Sequence, residues 1–262
     1  MAQHDEARME KGLEFRFEVP KPPNDPMYEV TAEEAEELLL RRLSEEADTA
    51  TVLWELARFY SHSRQHEKAL ARLRELMQRQ PDPEAKAGCV LAMGQTMEQV
   101  NDYPAAIRYY KEAEALEPMN SHNWYFINNN LGFSLNTLNK FVEGEIYCRR
   151  AIGIEPQRPN AHKNLGIALA GRGQYQEAAR CFVTATQVNA ADPRAFHLLE
   201  ELLKEHPELE FDFRNDVECC RKAIEMVQRK ANELKPVVHR GWRKQLFLIK
   251  TRIRSVLRMV WR

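Results

Sequence analysis

Small residues recur in the middle of this chain with a period of 34 to 38 residues. Four units begin at Ala50, Ala87, Tyr125 and Pro159, and each has Ala or Gly at its eighth and twentieth places. These places hold Ala57, Gly94, Gly132 and Gly166, and then Ala69, Ala106, Gly144 and Ala178. Small side chains let two helices approach closely. A repeat of this length therefore predicts stacked helix pairs.

Large residues recur in the same register. The seventh, eleventh and twenty-fourth places hold Leu56, Met93, Leu131 and Leu165, then Tyr60, Met97, Leu135 and Leu169, and then Leu73, Tyr110, Cys148 and Phe182. Pro81, Pro118 and Pro156 close the first three units. The pattern resembles the tetratricopeptide repeat, W-x2-L-G-x2-Y followed by A-x3-F and P over 34 residues, although the first unit has Ala57 for Gly and His66 for an aromatic residue. The resemblance covers residues 50–192 and implies an all-α, right-handed solenoid of helix–turn–helix repeats.

The segments on either side of the four repeats have different patterns. Within residues 1–30, residues 13–19 alternate between apolar and polar and residues 20–26 are proline-rich, which predicts an extended arm. Thr31 and Glu34 have the spacing of a capping box, so residues 31–49 are expected to contain a helix that covers the first repeat. Residues 193–234 begin like a fifth repeat, but Pro207 lengthens the turn, and we interpret this region as a degenerate repeat.

The sequence offers little chemistry for catalysis. It has no H-E-x-x-H, G-x-S-x-G, P-loop or dinucleotide-binding motif, so we expect no catalytic residue, no metal, no cofactor and no enzyme activity. His62 and His66 are four residues apart but lie across a predicted turn, where solvated side chains are expected rather than metal ligands. Cys219 and Cys220 are expected to be two buried small residues.

Cysteine usage and charge patterning indicate the compartment. Five cysteines without C-x-x-C spacing argue against a disulfide framework. The charged N-terminus lacks the apolar core of a signal peptide, and the uncharged stretch of residues 122–139 contains six Asn. We therefore expect a cytoplasmic protein without a transmembrane helix.

A stack of helix pairs forms a concave surface that is lined by the first helix of each pair and that serves as a natural binding site. Helical spacing predicts nine groove residues on this surface: Arg58, Gln95, Asn129, Asn130, Phe133, Asn136, Asn160, Lys163 and Asn164. Side-chain amides donate and accept hydrogen bonds, which suits the backbone of an extended peptide. Asn130 and Asn164 share one place in consecutive units, similar to the asparagine ladder of some tetratricopeptide superhelices. The alternative is that these Asn residues only hydrogen-bond between helices.

The C-terminal segment differs in charge from the rest of the chain. Residues 1–234 hold all 39 acidic residues and 29 basic ones, a net charge of −10, whereas residues 235–262 hold nine basic residues and no acid. Apolar residues recur there every three or four places, which predicts a basic amphipathic helix. Its predicted cationic face comprises Arg243, Lys244, Lys250, Arg254 and Arg258. Three roles stay open: capping the solenoid, binding an anionic membrane surface, or binding nucleic acid, which the absence of interleaved polar residues disfavours.

The repeats and the tail together predict a protein–protein interaction scaffold or adaptor that binds an extended peptide or a partner protein in its concave groove. The alternative is a recruitment subunit of a larger enzyme or secretion assembly, tethered to an anionic membrane through residues 235–262. In that case the protein would be cytoplasmic and peripheral to the membrane. Both interpretations imply a protein or peptide ligand.

Overall fold

The computed structural model describes residues 31–45, 48–80 and 82–233, and these residues form helices and turns without a strand. The helices are α1 (Ala32–Glu45), α2 (Thr49–His62), α3 (His66–Arg79), α4 (Pro83–Gln99), α5 (Tyr103–Ala115), α6 (Ser121–Thr137), α7 (Phe141–Ile154), α8 (Pro159–Gly171), α9 (Tyr175–Val188), α10 (Arg194–Glu205) and α11 (Glu210–Glu233). Each helix from α1 to α9 packs against the next one in the chain. The predicted all-α solenoid is therefore confirmed, whereas the predicted arm (1–30) and basic tail (235–262) lie outside the described residues.

The four central helix pairs are α2/α3, α4/α5, α6/α7 and α8/α9, and their internal turns have the same geometry. The middle residue of each turn has a left-handed backbone: Arg64, Asn101, Asn139 and Gly173. In the second pair the amide of Asp102 donates to the carbonyl of Met97 (3.0 Å), and the amide of Asn101 donates to that of Glu98 (3.0 Å). These are the two bonds of a Schellman motif, which satisfies carbonyls that a helix end leaves unpaired. Asn and Gly tolerate the left-handed region, whereas Arg64 is strained there.

Small and large residues meet inside each pair, as their register predicts. A Cβ atom added to Gly94 would overlap the ring of Tyr110, and one added to Gly166 would overlap the ring of Phe182. In the third pair a Cβ on Gly132 would overlap the sulfur of Cys148. The glycines therefore let the first helix of a pair rest directly on a large side chain of the second helix.

The two ends of the repeat stack are covered by additional helices. The predicted capping box forms at the start of α1, because the Glu34 amide donates to Thr31 Oγ1 (3.2 Å) and the Thr31 amide donates to Glu34 Oε2 (2.8 Å). Helix α1 then buries Leu39 against α2. At the other end, α10 and α11 pack on α9 and extend its apolar cluster with Leu199 and Phe213.

The second half of the α10–α11 unit departs from the helix pairs before it. A 3₁₀ helix, Pro207–Leu209, lengthens the turn, and α11 begins at Glu210. The prediction that Cys219 and Cys220 are both buried is wrong for Cys219, which is exposed, while Cys220 is buried. Consecutive residues on a helix point about 100° apart, so one apolar stripe cannot cover both.

Candidate functional site

The candidate site is the layer formed by the first helices of the pairs, which we call the inner layer (α2, α4, α6 and α8). Helix α6 contacts α4 and α8 in addition to its pair partner. Helices α2 and α4 are linked by a hydrogen bond from Ser61 Oγ to Gln99 Oε1 (3.0 Å). All nine predicted groove residues lie on these helices.

Four of the predicted groove residues are buried amides: Asn129, Asn130, Asn136 and Asn164, which are 3–8% exposed. Asn164 Nδ2 donates to Asn129 Oδ1 (3.1 Å), and Asn129 Nδ2 donates in turn to Asn130 Oδ1 (2.9 Å). Asn136 Nδ2 donates to the backbone carbonyl of Asn164 (2.8 Å). These bonds hold α6 against α8, an arrangement that the inter-helix alternative predicts.

The amide network continues to α5 and leaves two acceptors unused. Asn130 Nδ2 donates to the hydroxyl of Tyr110 at 3.4 Å. This bond connects the inner layer to α5, one of the second helices of the pairs (α3, α5, α7 and α9), which we call second-row helices. Within the described part of the chain, the Oδ1 atoms of Asn136 and Asn164 are buried without a hydrogen-bond donor. A groove role for the four amides stays a prediction, because most of their donors are used inside the protein.

The other five predicted groove residues are more accessible. Gln95, Phe133, Asn160 and Lys163 are half-buried, and Arg58 is exposed. Phe133 packs edge-on against Tyr103, with the ring centroids 6.1 Å apart. These side chains present a mixed polar and aromatic surface on α4, α6 and α8.

Lys163 is the half-buried cation of this surface. Burial lowers its pKa, the nearby Arg194 lowers it further, and Asp192 opposes both effects. Asp192 is already paired with Arg194, at 2.5 Å. Lys163 forms no salt bridge with any described residue, so its ammonium group is available to an anion.

Glu98, in the last turn of α4, is a polar group of this layer that is not among the nine predicted groove residues. Ser134 Oγ on α6 donates a hydrogen bond to Glu98 Oε1 (2.7 Å). Burial raises the pKa of Glu98 to about 7, although hydrogen bonding by Ser134 and by the Tyr110 hydroxyl opposes the rise. Burial, together with the adjacent Glu98 carboxylate, also raises the pKa of Tyr110.

Helical spacing places Glu98 on the same face as Gln95, but it does not reveal this environment. Ser134 lies 36 residues further along the chain and Tyr110 lies on the second helix of the pair. A Glu near a helix end is most often solvated. The signal that could have found it is its place in the unit, which Asn136 occupies one repeat later.

The described residues contain no group of three His, Cys, Asp or Glu side chains placed to hold a metal ion. His62 ends α2 and His66 begins α3, on either side of the turn. None of the described helices is both long enough and apolar enough to span a bilayer. The predicted basic residues Arg243, Lys244, Lys250, Arg254 and Arg258 lie outside the described ranges.

Comparison with known proteins supports the fold. No family model matches the chain. A BBSome complex member BBS4 homolog of Drosophila melanogaster is 25% identical over 183 residues, which cover 69% of this chain and 36% of that protein. This chain therefore matches only about a third of the length of that relative.

Solved structures give the same result at the level of architecture. BtubC from P. vanneervenii aligns with a TM-score of 0.60 and 18% identity, over 80% of this chain and 93% of that one. A MamA RS-1 double mutant aligns with a TM-score of 0.55 and 16% identity, over 71% of this chain and 98% of that one. These likenesses, with the internal repeats, support a tetratricopeptide-like solenoid.

Proposed function

We propose that this protein is a non-catalytic interaction scaffold whose inner layer binds an extended segment of a partner protein. The observation that carries the proposal is the set of half-buried side chains Gln95, Phe133, Asn160 and Lys163 on the inner layer, in which buried amides join α6 to α8. Pre-organised side chains lose little conformational freedom when a ligand binds. The name of the Drosophila relative, which states that it is a complex member, is compatible with such a role.

The proposed groove combines groups that suit a peptide. Gln95 and Asn160 are amides that can pair with a peptide backbone. Phe133 offers an apolar ring, and Lys163 offers an unpaired cation for a carboxylate of the ligand. The groove therefore favours an extended polar segment over a purely apolar helix.

The test starts from selection of displayed random peptides of about 12 residues, a length suited to an extended groove, on the immobilised full chain. Replacing Phe133 and Lys163 with Ala should weaken a selected peptide by roughly 1–3 kcal/mol, the usual range for important interface residues, in calorimetric titration. Val142→Ala is the matched control, because Val142 is exposed on α7, a second-row helix. Equal affinity for the groove variant, the control and wild type would show that the inner layer is not the binding surface.

A second candidate function is membrane recruitment by the C-terminal tail. The charge difference between residues 1–234 and residues 235–262 favours it, as do Trp242 and Trp261 at the ends of the predicted amphipathic helix. Each basic residue near an anionic bilayer contributes about 1 kcal/mol. The protein would then bring its groove ligand to a membrane surface as a recruitment subunit.

Vesicle sedimentation and thermal melting distinguish this role from capping of the solenoid. If the tail binds membranes, the full chain should sediment with phosphatidylserine-containing vesicles but not with pure phosphatidylcholine, and salt should release it. A chain lacking residues 235–262 should stay in solution and melt unchanged. A lower melting temperature after the deletion, without vesicle binding by the full chain, would instead support capping. Binding to nucleic acid in the absence of lipid would contradict both roles.

A further inference from the structure

Glu98, like Lys163, is an ionisable group of the inner layer for which the described residues provide no oppositely charged partner. It lies one turn beyond Gln95 on α4 and is half-buried. Its hydrogen-bonding neighbours are neutral donors, the hydroxyls of Ser134 and Tyr110. Among the described residues it has no salt-bridge partner, whereas Glu55 on α2 pairs with Arg42 at 2.5 Å.

A carboxylate in this position retains binding capacity. Its two oxygens offer about four acceptor sites, and two hydroxyls use at most two of them. No charged side chain contributes to its pKa, so the field around it is set by burial and by neutral groups. A cation that reached it would replace the solvent that burial has removed, and a charged hydrogen bond is stronger there than in water.

An aromatic pair is formed by residues that are close in sequence to Glu98 and to its partner Ser134. Phe133 precedes Ser134 on α6, and its ring packs edge-on against Tyr103, which begins α5 just after the turn that follows Glu98. A planar guanidinium binds a carboxylate through two parallel bonds and is also attracted to aromatic rings. A lysine ammonium group binds a carboxylate only as a point charge, without the two parallel bonds.

We propose that Glu98 receives a basic side chain, preferentially arginine, from the segment that occupies the groove. The proposal rests on the proposed function of the inner layer and specifies its ligand: an extended segment whose cation pairs with Glu98 on α4. Lys163, on α8 at the other side of α6, is not required for this contact. Glu98 would thus select partners by charge, while the amides bind any backbone.

The experiment selects peptides from one random display library of about 12 residues on three proteins: wild type, Glu98→Gln and Glu112→Gln. Gln keeps an oxygen that can accept from Ser134 but removes the charge. Glu112 is exposed on the second-row helix α5, so its replacement is a control for the same change in net charge. Wild type and Glu112→Gln should enrich arginine or lysine at one position, and Glu98→Gln should not.

A peptide selected on wild type then measures the contact directly. Replacing its enriched arginine with citrulline, which is neutral and nearly isosteric, should weaken binding to wild type by about tenfold to a hundredfold. The same replacement should change binding to Glu98→Gln by less than about threefold. Circular dichroism of each variant checks that the fold is retained.

The outcomes separate this inference from the proposed function. Two outcomes would refute the role of Glu98 while leaving groove binding intact. In the first, peptides lose affinity for the Phe133 and Lys163 variant but show no preference for a basic residue. In the second, replacing the arginine weakens binding to Glu98→Gln as much as it weakens binding to wild type. Peptides that bind all groove variants equally, or a library from which no protein selects any peptide, would refute groove binding and this inference with it.

Discussion

Replacing Glu98 with Gln should change how the stability of the solenoid depends on pH. Burial raises the pKa of Glu98 from its usual 4.5 to about 7 in the folded protein. The folded protein therefore holds a proton at this site in a range where the unfolded chain has released it. Because the folded state binds more protons there, the free energy of unfolding falls as pH rises from about 4.5 to about 7.

The magnitude follows from the size of the shift. One pKa unit corresponds to about 1.4 kcal/mol, so the buried carboxyl costs up to roughly 3 kcal/mol of stability above pH 7 and nothing below about pH 4.5. This is an upper value, because a half-buried carboxyl is partly screened by solvent. Gln has no such titration. Its amide group loses or gains a hydrogen bond of about 1 kcal/mol, but that difference is the same at every pH.

The assay is urea unfolding of wild type and Glu98→Gln at about pH 5 and about pH 8, followed by circular dichroism, with the difference in unfolding free energy compared between the two pH values. Relative to wild type, the variant should gain up to roughly 2.5 kcal/mol between these pH values, because at pH 5 the unfolded carboxyl is already mostly ionised. Paired carboxylates such as Glu145, whose pKa is lowered, act in the opposite direction in both proteins and cancel in the comparison. Glu112→Gln should follow wild type. A difference between Glu98→Gln and wild type that is the same at both pH values would refute the raised pKa of Glu98.

Three further substitutions test the packing. Gly166→Leu should lower the unfolding free energy by about 1–3 kcal/mol or more, because the new side chain overlaps the ring of Phe182, and an unchanged melting temperature would show that these two residues are not in contact. Asn164→Ala should lower it by about 1–3 kcal/mol, since Asn129 Oδ1 loses its buried donor; a variant as stable as wild type would show that this hydrogen bond does not stabilise the fold. Arg64→Gly should raise stability by up to about 1 kcal/mol in urea unfolding, because glycine relieves the left-handed backbone of the first turn, and a loss of stability would contradict that assignment.

The sequence by itself determined the repeat architecture, because the interactions that define it are close along the chain. Gly94 and Tyr110, like Gly166 and Phe182, are sixteen residues apart and meet inside one helix pair. Periodicity alone therefore predicts which residue faces which. The turns are local as well, since Asn101 needs only its own pair to adopt its conformation.

Sequence spacing also placed the candidate groove residues on the inner layer, but it did not predict which of them are accessible. Asn164 and Lys163 are neighbours on α8, yet the amide is buried against α6 and the ammonium group is unpaired. The two differ because only Asn164 points toward the helix of the preceding unit. That direction depends on how far successive pairs rotate, which local periodicity does not specify.

The environment of Glu98 and the buried amide network depend on contacts that only the tertiary structure reveals. Ser134 reaches Glu98 across 36 residues, and Asn164 reaches Asn129 across 35. Contacts between units form when three inner helices pack together. Their geometry depends on the volumes of many side chains at once, so no single sequence pattern predicts it. A residue type at a given place in the unit therefore predicts the face on which it lies, whereas its burial, its partners and its pKa follow only from the packed stack.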